Sequence, residues 1–458
     1  GSAMEMVLEF LRDVLSQPAL LIGIMSCIGL IALKRPFHKI MTGTLKPILG
    51  YLMLAAGAGV IVSNLDPLGK MIEHGFHITG VVPNNEAIVA VAQKVLGVET
   101  MSILVVGLLM NLCIARFTKF KYVFLTGHHS LFMACLMSAV LGTAGLSGME
   151  LILVGGFLMG AWSAISPAIG QSYTSKVTDG DEIAIGHFGS LGYYLSAWVA
   201  KYVGKAEDST EDIEIPEKWG FLRDSTLSTA LTMIVFYLIA AFAAGSEFVA
   251  TLSGDMSPYL YAVMSAMNFA VGVTIVYSGV RMILGDLIPA FQGIATKIIP
   301  NAIPAVDCAV FFTYAPTAVV LGFLSSFIGG IIGMLILGAV GGVLIIPGLV
   351  PHFFCGATAG IYGNATGGRR GAAVGAFLNG LAITFLPALA LPVLGQLGFQ
   401  NTTFGDADFA VMGLVLGNAY EWVGMAGIYG IVAIAALVLI IPNFIKTKSK
   451  VINYVEED

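Results

Sequence analysis

The chain has 458 residues, of which 57% are hydrophobic and only 11% are charged, and its mean hydropathy is +0.89. Soluble domains carry roughly 25% charged residues, so this composition excludes an ordinary soluble enzyme and predicts a polytopic helical membrane protein. The net charge of −6 is spread thinly and says little about partners, and no nucleic-acid partner is expected.

Apolar segments recur along the whole chain, and a spanning helix needs about 20 mostly apolar residues. The clear segments are 18–34, 42–63, 101–116, 149–168, 226–245, 258–281, 309–342, 371–395 and 423–444. Segments that are too short or too polar to cross alone are 80–95, 124–146, 183–203, 285–305 and 343–366. This pattern predicts an all-α fold with some segments that only half-span the membrane.

Basic residues cluster at the ends of several segments, and the positive-inside rule places these ends in the cytoplasm and the N-terminus outside. The clusters lie at 34–39, 116–121, 201–223, 369–370 and 446–450. The longest polar insertion, Lys205–Asp224, is interpreted as a cytoplasmic linker between two halves. Residues 1–3 resemble a tag remnant, and no cleavable signal peptide is expected.

The two halves show signs of a repeat. The segment 43–56 (GTLKPILGYLMLAA) aligns with 293–306 (GIATKIIPNAIPAV). Later in each half comes a short apolar hairpin containing Gly or Pro and a histidine, TGHHSLFMACLMSAVLG and PGLVPHFFCGATAGIYG. Interrupted hydrophobic segments at matching places in two halves indicate a transporter site.

Motifs of soluble enzymes are missing from the sequence: it has no HExxH, no phosphate-binding lysine loop and no GxSxG. The five cysteines have no CxxC spacing and are expected to be small buried hydrophobes, not disulfides or metal ligands. We therefore predict no catalytic nucleophile, no metal and no cofactor.

Polar residues within or beside the apolar runs are the candidates for function. They are Asn84, Asn85, Glu86, His128, His129, Asp179, Asp181, His187, Asp307, His352 and Glu421. Each of them is either a helix cap or interfacial anchor, or a group that faces a cavity, because ionisable groups at membrane depth are costly.

Two histidines are placed to bind a ligand. His128 follows Gly127 at the start of an apolar hairpin, and His187 follows Gly186 before an aromatic helix. Asp307, inside an apolar run, supplies a complementary acceptor. Donors and an acceptor of this kind suit a sugar, whose hydroxyl groups each need a partner once desolvated.

The acidic run before His187 has a different interpretation. Asp179, Asp181 and Glu182 are expected to form a solvated turn and helix cap, since aspartate favours the N-terminal ends of helices.

The sequence resembles the ascorbate-type enzyme IIC membrane subunits of the bacterial phosphoenolpyruvate-dependent sugar phosphotransferase system. The similar runs are LTGHHSLF (125–132) and those covering 177–216, 279–323 and 345–372, spread in order over nearly the whole chain. The resemblance implies a homodimer in the bacterial inner membrane. Each protomer would have about 11 transmembrane helices, re-entrant hairpins and an inverted repeat.

The resemblance also implies two domains, with a V-motif domain that dimerises and a core domain that carries the sugar by an elevator-type motion. The implied ranges are 15–75 and 225–300 for the V-motif domain, 76–204 and 301–445 for the core domain, and 205–224 for the linker. Gly57, Gly59, Gly272 and Gly279 are predicted to line the dimer contact, because small residues allow close helix approach. A cytoplasmic IIB subunit, phosphorylated on cysteine, would phosphorylate the sugar.

By the same resemblance, His128, His187 and Asp307 bind the substrate, and Asn85 and Glu86 stand where the family has a threonine–tyrosine pair. Phe132 and Phe188 stand where the family has glutamines that contact the sugar. These departures leave open whether the substrate is L-ascorbate or a related sugar or polyol.

Two other functions are also compatible with the sequence. An ion-coupled secondary transporter would use Asp307, Glu86 or His128 as its coupling group. For the alternative of a membrane-embedded enzyme or a scaffold protein, the sequence contains no supporting motif.

Overall fold

The structure is a computed structural model that describes residues 1–83, 85–214, 216–395 and 402–445. It describes the backbone alone at 82, 86–97, 222–223, 225, 280, 284, 394–395 and 402. In these ranges, eight helices are long and apolar enough to cross a membrane, or nine if the bent pair Ala3–Leu15 and Pro18–Ala32 counts as one span. The predicted all-α polytopic membrane protein is confirmed; about 11 spans, the inverted repeat and the homodimer stay predictions.

The described α-helices are, in chain order, α1 (Ala3–Leu15), α2 (Pro18–Ala32), α3 (Phe37–Gly75), α4 (Asn85–Phe117), α5 (Gly127–Thr143), α6 (Gly148–Ile169), α7 (Gln171–Thr178), α8 (Ser190–Val203), α9 (Ser225–Ala244), α10 (Ser246–Ser253), α11 (Pro258–Lys297), α12 (Pro316–Ala339), α13 (Leu349–Gly395), α14 (Ala407–Val423) and α15 (Met425–Ile440). The short strands are β1 (Val82–Pro83), β2 (Tyr122–Phe124), β3 (Ala184–Ile185), β4 (Ile303–Val306) and β5 (Thr402–Thr403).

Local chemistry explains where two predicted spans differ from the structure. The predicted span 309–342 is wrong at its beginning, because Cys308–Tyr314 forms a 3₁₀ turn. The helix α12 starts only at Pro316, a position where the missing N–H costs nothing. The predicted segments 343–366 and 371–395 belong to one element, α13, which breaks at Gly367 and Gly368; Gly368 has a φ of +66°.

Helices α2, α3, α9, α10 and α11 pack against one another and are called here the long-helix group. Gly57 of α3 meets Gly272 of α11 so closely that a Cβ on Gly57 would lie 2.7 Å from the Gly272 carbonyl oxygen. Likewise a Cβ on Gly279 would lie 2.6 Å from the Gly50 carbonyl oxygen. Three of the four glycines predicted for the dimer contact are therefore used inside the chain, while Gly59 has open space beside it.

Helices α4–α8 and α12–α14 form a second body, called here the hairpin group, in which α12 and α8 pack on α13 and α5 and α6 pack on α4. At its centre is a parallel sheet in the order β2-β4-β3, whose strands come from distant parts of the chain. A second parallel pair joins β1 to β5. These pairings give the backbone groups of the short strands hydrogen-bond partners within the chain. Hydropathy did not predict these strands.

The acidic run before His187 is a turn, as expected, but it caps a different helix end. Asp179 is the C-terminal cap of α7 and adopts the left-handed conformation with φ of 56°. Asp181 accepts a hydrogen bond from the Ser175 hydroxyl. The prediction of an N-terminal cap is therefore wrong, because the chain continues from this turn into β3 and not into a helix.

The first part of the predicted cytoplasmic linker is hydrogen-bonded to the hairpin group. The Glu211 carboxylate accepts hydrogen bonds from the N–H groups of Thr317 (2.9 Å) and Ala318 (3.3 Å), at the start of α12. The Asp208 carbonyl accepts from the Arg369 N–H at 2.9 Å, just after the break in α13. This part of the linker is therefore bound to α12 and α13, which both belong to the second half of the chain.

We expect Glu211→Gln to lower the free energy of unfolding by about 1 kcal/mol, because an amide replaces a carboxylate that caps a helix N-terminus. Thermal unfolding of the purified protein in detergent measures the change. Asp212→Asn, at the exposed neighbouring position, removes the same charge and is the control. Equal stability of the Glu211 variant and the parent would contradict the capping role.

Candidate functional site

Three predicted site residues meet because each follows a strand of the same parallel sheet. His128 comes shortly after β2, His187 comes two residues after β3, and Asp307 comes directly after β4. The pairing extends past the strands, since the Leu125 N–H donates to Ala305 and the Gly186 N–H donates to Val306, at 2.9 and 2.8 Å. Groups that follow the carboxyl ends of parallel strands gather at one edge of a sheet, and this edge opens into a cavity.

The cavity has a volume of about 1350 Å³ and lies between the long-helix group and the hairpin group. His128, His129, His187, Asp307 and Asp406 line its polar end. Apolar side chains line much of the rest, and ligand sites in proteins commonly combine such walls with a few placed polar groups.

The hydrogen bonds at His129 and His187 assign their tautomers. The His129 Nδ1 accepts from the Phe188 N–H at 3.1 Å. The His187 Nδ1 accepts from the Gly189 N–H at 3.3 Å and lies 2.8 Å from the Tyr193 hydroxyl. A neutral imidazole with an accepting Nδ1 carries its proton on Nε2, so both rings hold an Nε2–H that is free of the backbone.

Two buried carboxylates stand beside these donors. Asp307 accepts from the Ala309 N–H at 3.3 Å and from the Tyr51 hydroxyl at 2.8 Å, and its Oδ2 lies 3.7 Å from the His128 Nε2. Asp406 accepts from the Cys355 thiol at 3.0 Å, and its Oδ2 lies 3.5 Å from the His129 Nε2.

His129, Asp406 and Tyr51 belong to this cluster but were not among the predicted substrate-binding residues, although His129 was one of the polar candidates from the sequence. His129 had a usable signal, because it adjoins His128 in the GHHSLF run. Asp406 follows β5 at the end of a polar stretch, and no local pattern ties it to a histidine 277 positions earlier. Tyr51 lies within a long apolar helix, where an aromatic residue is expected in any case.

The predicted residue Asn85 contacts the chain next to Asp406, and its predicted contact with the substrate stays a prediction. Its side-chain oxygen accepts from the Gly405 N–H at 2.9 Å and so fixes the residue before Asp406. Asn85 also lines the cavity. The Glu86 side chain lies outside the described residues, so its predicted contact with the substrate stays a prediction.

The two phenylalanines that the resemblance sets in place of glutamines lie in different surroundings. Phe132 lines the cavity, and its ring meets His128 edge-on with centroids 5.8 Å apart. Phe188 is fully buried and stacks on Phe124 at 4.6 Å, within an apolar cluster. Its side chain lies behind the site, and only its backbone N–H reaches His129.

Asp408 holds the start of α8, the helix that follows His187. It is fully buried and accepts hydrogen bonds from the Ser190 hydroxyl (2.7 Å), the Leu191 N–H (2.9 Å) and the Trp162 indole (3.2 Å). The first two groups begin α8, three residues after His187, and a carboxylate at a helix N-terminus is favourable. Asp408 therefore anchors the helix that follows the histidine.

His352, a candidate from the sequence, is structural. It is buried, and its Nδ1 lies 2.8 Å from the Ser326 hydroxyl of α12. The residue does not line the cavity.

The site geometry favours a ligand with hydroxyl groups over a metal ion. Atoms of His129, His187 and Asp406 lie within 4.8 Å of one another, which is close enough to share an ion. A metal on Nε2 would move each imidazole proton to Nδ1, where a backbone N–H already donates. The same atoms are instead two N–H donors beside carboxylate acceptors, which is what a sugar hydroxyl needs.

Comparison with known proteins agrees with this geometry. The chain matches the family model described as the PTS system sugar-specific permease component, where PTS denotes the phosphotransferase system, over residues 13–408. The chain belongs to this family. As a member of the PTS permease family with eight or nine candidate spans among its described residues, it is a multi-pass protein of the bacterial inner membrane.

A relative of this permease is the "Ascorbate-specific PTS system EIIC component" of Mycoplasma pneumoniae (strain ATCC 29342 / M129 / Subtype 1). The two are 28% identical over 417 residues, and the match covers 78% of this chain. The chain spans 62% of the length of that relative.

Proposed function

We propose that this permease translocates L-ascorbate or a related sugar or polyol for phosphorylation on the cytoplasmic side. The observation that carries the proposal is the polar end of the cavity, where the Nε2–H groups of His129 and His187 stand beside the carboxylates of Asp307 and Asp406. A hydroxyl group can both accept from such a donor and donate to such an acceptor. The name of the mycoplasmal relative supports ascorbate as the first sugar to test.

For the motion, we propose that the long-helix group is the dimerising V-motif domain and that the hairpin group is the moving core. The three strands that carry His128, His187 and Asp307 all belong to the hairpin group and are hydrogen-bonded to one another. A sugar bound to these residues would therefore move with the sheet as one rigid body.

The direction of the cavity supports an outward-facing state. It extends along the C-terminal end of α3, where Asp66, Lys70 and Glu73 line it. The opposite end of α3 adjoins the basic turn at 34–39, which the positive-inside rule assigns to the cytoplasm. Phosphorylation by a cytoplasmic IIB subunit would follow only after the core has moved inward. There, the sugar oxygen bonds to phosphorus as the cysteine–phosphorus bond breaks, and the hydroxyl proton passes to a carboxylate of the site.

The carboxylates bear on the choice of sugar. Like unit charges 4 Å apart repel by about 4 kcal/mol at an effective dielectric of 20, and ascorbate is an anion at neutral pH. The neutral ring of His129 gives Asp406 a hydrogen-bond donor at Nε2 but no positive charge to offset this repulsion. A neutral polyol needs no such compensation, so titrations with ascorbate and a panel of pentoses, hexoses and alditols identify the substrate.

The same histidine–carboxylate pairs favour one second candidate, a proton-coupled transporter, because ionisable pairs at membrane depth form proton relays. Uptake by sealed vesicles separates the two functions. We expect uptake to require phosphoenolpyruvate and the soluble phosphotransferase proteins and to yield sugar phosphate. Accumulation of free sugar driven by an ion gradient alone would contradict the proposal.

A further inference from the structure

Tyr51 links the two helix groups at the polar end of the cavity. It lies on α3 of the long-helix group, and its hydroxyl donates to the Asp307 Oδ2 at 2.8 Å. Both residues are buried and both line the cavity. The hydrogen bond therefore joins the proposed scaffold to Asp307, a residue of the proposed moving core that is expected to bind the sugar.

Each partner is held firmly within its own body. The residue before Tyr51 is Gly50, where α3 touches α11 so closely that a Cβ would lie 3.0 Å from the Gly279 carbonyl oxygen. Asp307 directly follows β4, the central strand of the sheet, and its other oxygen accepts from Ala309. Relative movement of the two groups must therefore break the Tyr51–Asp307 bond and cannot be absorbed by a loose side chain.

The carboxylate oxygen of Asp307 that accepts from Tyr51 is also the oxygen that faces the His128 ring. The His128 Nε2 lies 3.7 Å from the same Oδ2, beyond hydrogen-bond distance, which leaves this oxygen open to a ligand hydroxyl. A sugar hydroxyl can therefore donate to Oδ2 in place of Tyr51.

We propose that Tyr51 is a positioning residue that holds the empty permease outward-facing and is displaced from Asp307 by the bound sugar. The inference rests on the proposed elevator motion. In the empty protein, movement leaves a buried carboxylate and a buried phenol without partners, which is unfavourable. In the loaded protein, the sugar hydroxyl replaces the phenol on Asp307, so movement no longer has this penalty. Occupancy of the site then controls the movement of the core.

The test measures the distance between the two groups in the full-length protein, reconstituted in lipid nanodiscs without sugar. Spin labels are attached to cysteines at the exposed positions Lys39 and Arg369, one on each group, after Cys27 and Cys113 are replaced by alanine. Pulsed electron paramagnetic resonance gives the distance distribution. We expect Tyr51→Phe to raise the ratio of the inward to the outward population by about tenfold, the effect of losing one buried hydrogen bond.

Tyr277→Phe is the matched control. Tyr277 is a buried tyrosine of α11 in the same helix group, and its hydroxyl has no hydrogen-bond partner among the described residues. This variant should keep the parent's distance distribution. Asp307→Ala removes the acceptor instead of the donor and should reproduce the shift of Tyr51→Phe, which keeps the proposal testable if one variant folds poorly.

The positioning role would be overturned if Tyr51→Phe and Asp307→Ala both kept the distance distribution of the parent. It would also be overturned if the control, Tyr277→Phe, shifted the distribution equally. The measurement uses no sugar, so its outcome is independent of which substrate the site takes. Failure of the parent to bind any sugar of the panel would instead refute the proposed function.

Discussion

Replacing His187 with asparagine should leave the permease folded but lower its affinity for the transported sugar by about 5- to 150-fold. The asparagine oxygen stands near the position of Nδ1 and still accepts from Gly189 and Tyr193. The donor at Nε2 is lost, and a buried hydroxyl left without its partner costs about 1–3 kcal/mol. Glutamine, whose amide reaches the Nε2 position, should restore part of the affinity.

Isothermal titration calorimetry with the preferred sugar of the panel measures this effect. The control is His352→Asn, the same replacement at a buried histidine that bonds to Ser326 and does not line the cavity. Sugar affinity should be unchanged in this control. If His187→Asn kept the affinity of the parent, or if both variants lost affinity equally, His187 would not be a sugar-binding residue.

Gly186→Ala should abolish sugar binding and lower the free energy of unfolding by about 1–3 kcal/mol, the usual range for overpacking. A Cβ at this position would collide with the carbonyl group of Ala305 on the central strand. Relief of the collision would separate β3 from β4 and break the hydrogen bond from Gly186 to Val306. His187 would then move away from Asp307, so stability and binding fall together.

Gly180→Ala tests whether the effect comes from the sheet. This glycine lies six positions earlier, in the exposed turn after α7, with open space where a Cβ would go. Thermal unfolding and sugar titration should both match the parent. If Gly186→Ala also behaved like the parent, the close contact between β3 and β4 would not be needed for the site.

Hydropathy was enough to predict the fold class, because each spanning helix buries its own backbone polar groups and depends little on the rest of the chain. It failed where an element depends on a distant partner. The strands β2, β3 and β4 are too short to show a pattern, and each forms only because the others are present.

The same distinction applies to the site. His128, His187 and Asp307 could be predicted because each stands out locally, after a glycine or inside an apolar run. Asp406 could not, because its role arises from a contact with His129 across the fold. For Phe188, sequence position shows that it adjoins His187, but not that its ring lies in the apolar cluster; its predicted contact with the substrate stays a prediction.

The strand order also constrains how the protein is made. The central strand β4 lies in the second half of the chain, whereas both of its neighbours lie in the first half. At ribosomal speeds of about 5–20 residues per second, β2 and β3 wait on the order of ten seconds for their partner. During that interval the facing N–H and C=O groups of β2 and β3 lack the partners that β4 supplies in the folded chain, and lipid could not replace them. Biogenesis of this permease therefore includes a stage at which the nascent first half needs water, a chaperone or the insertion machinery beside these strands.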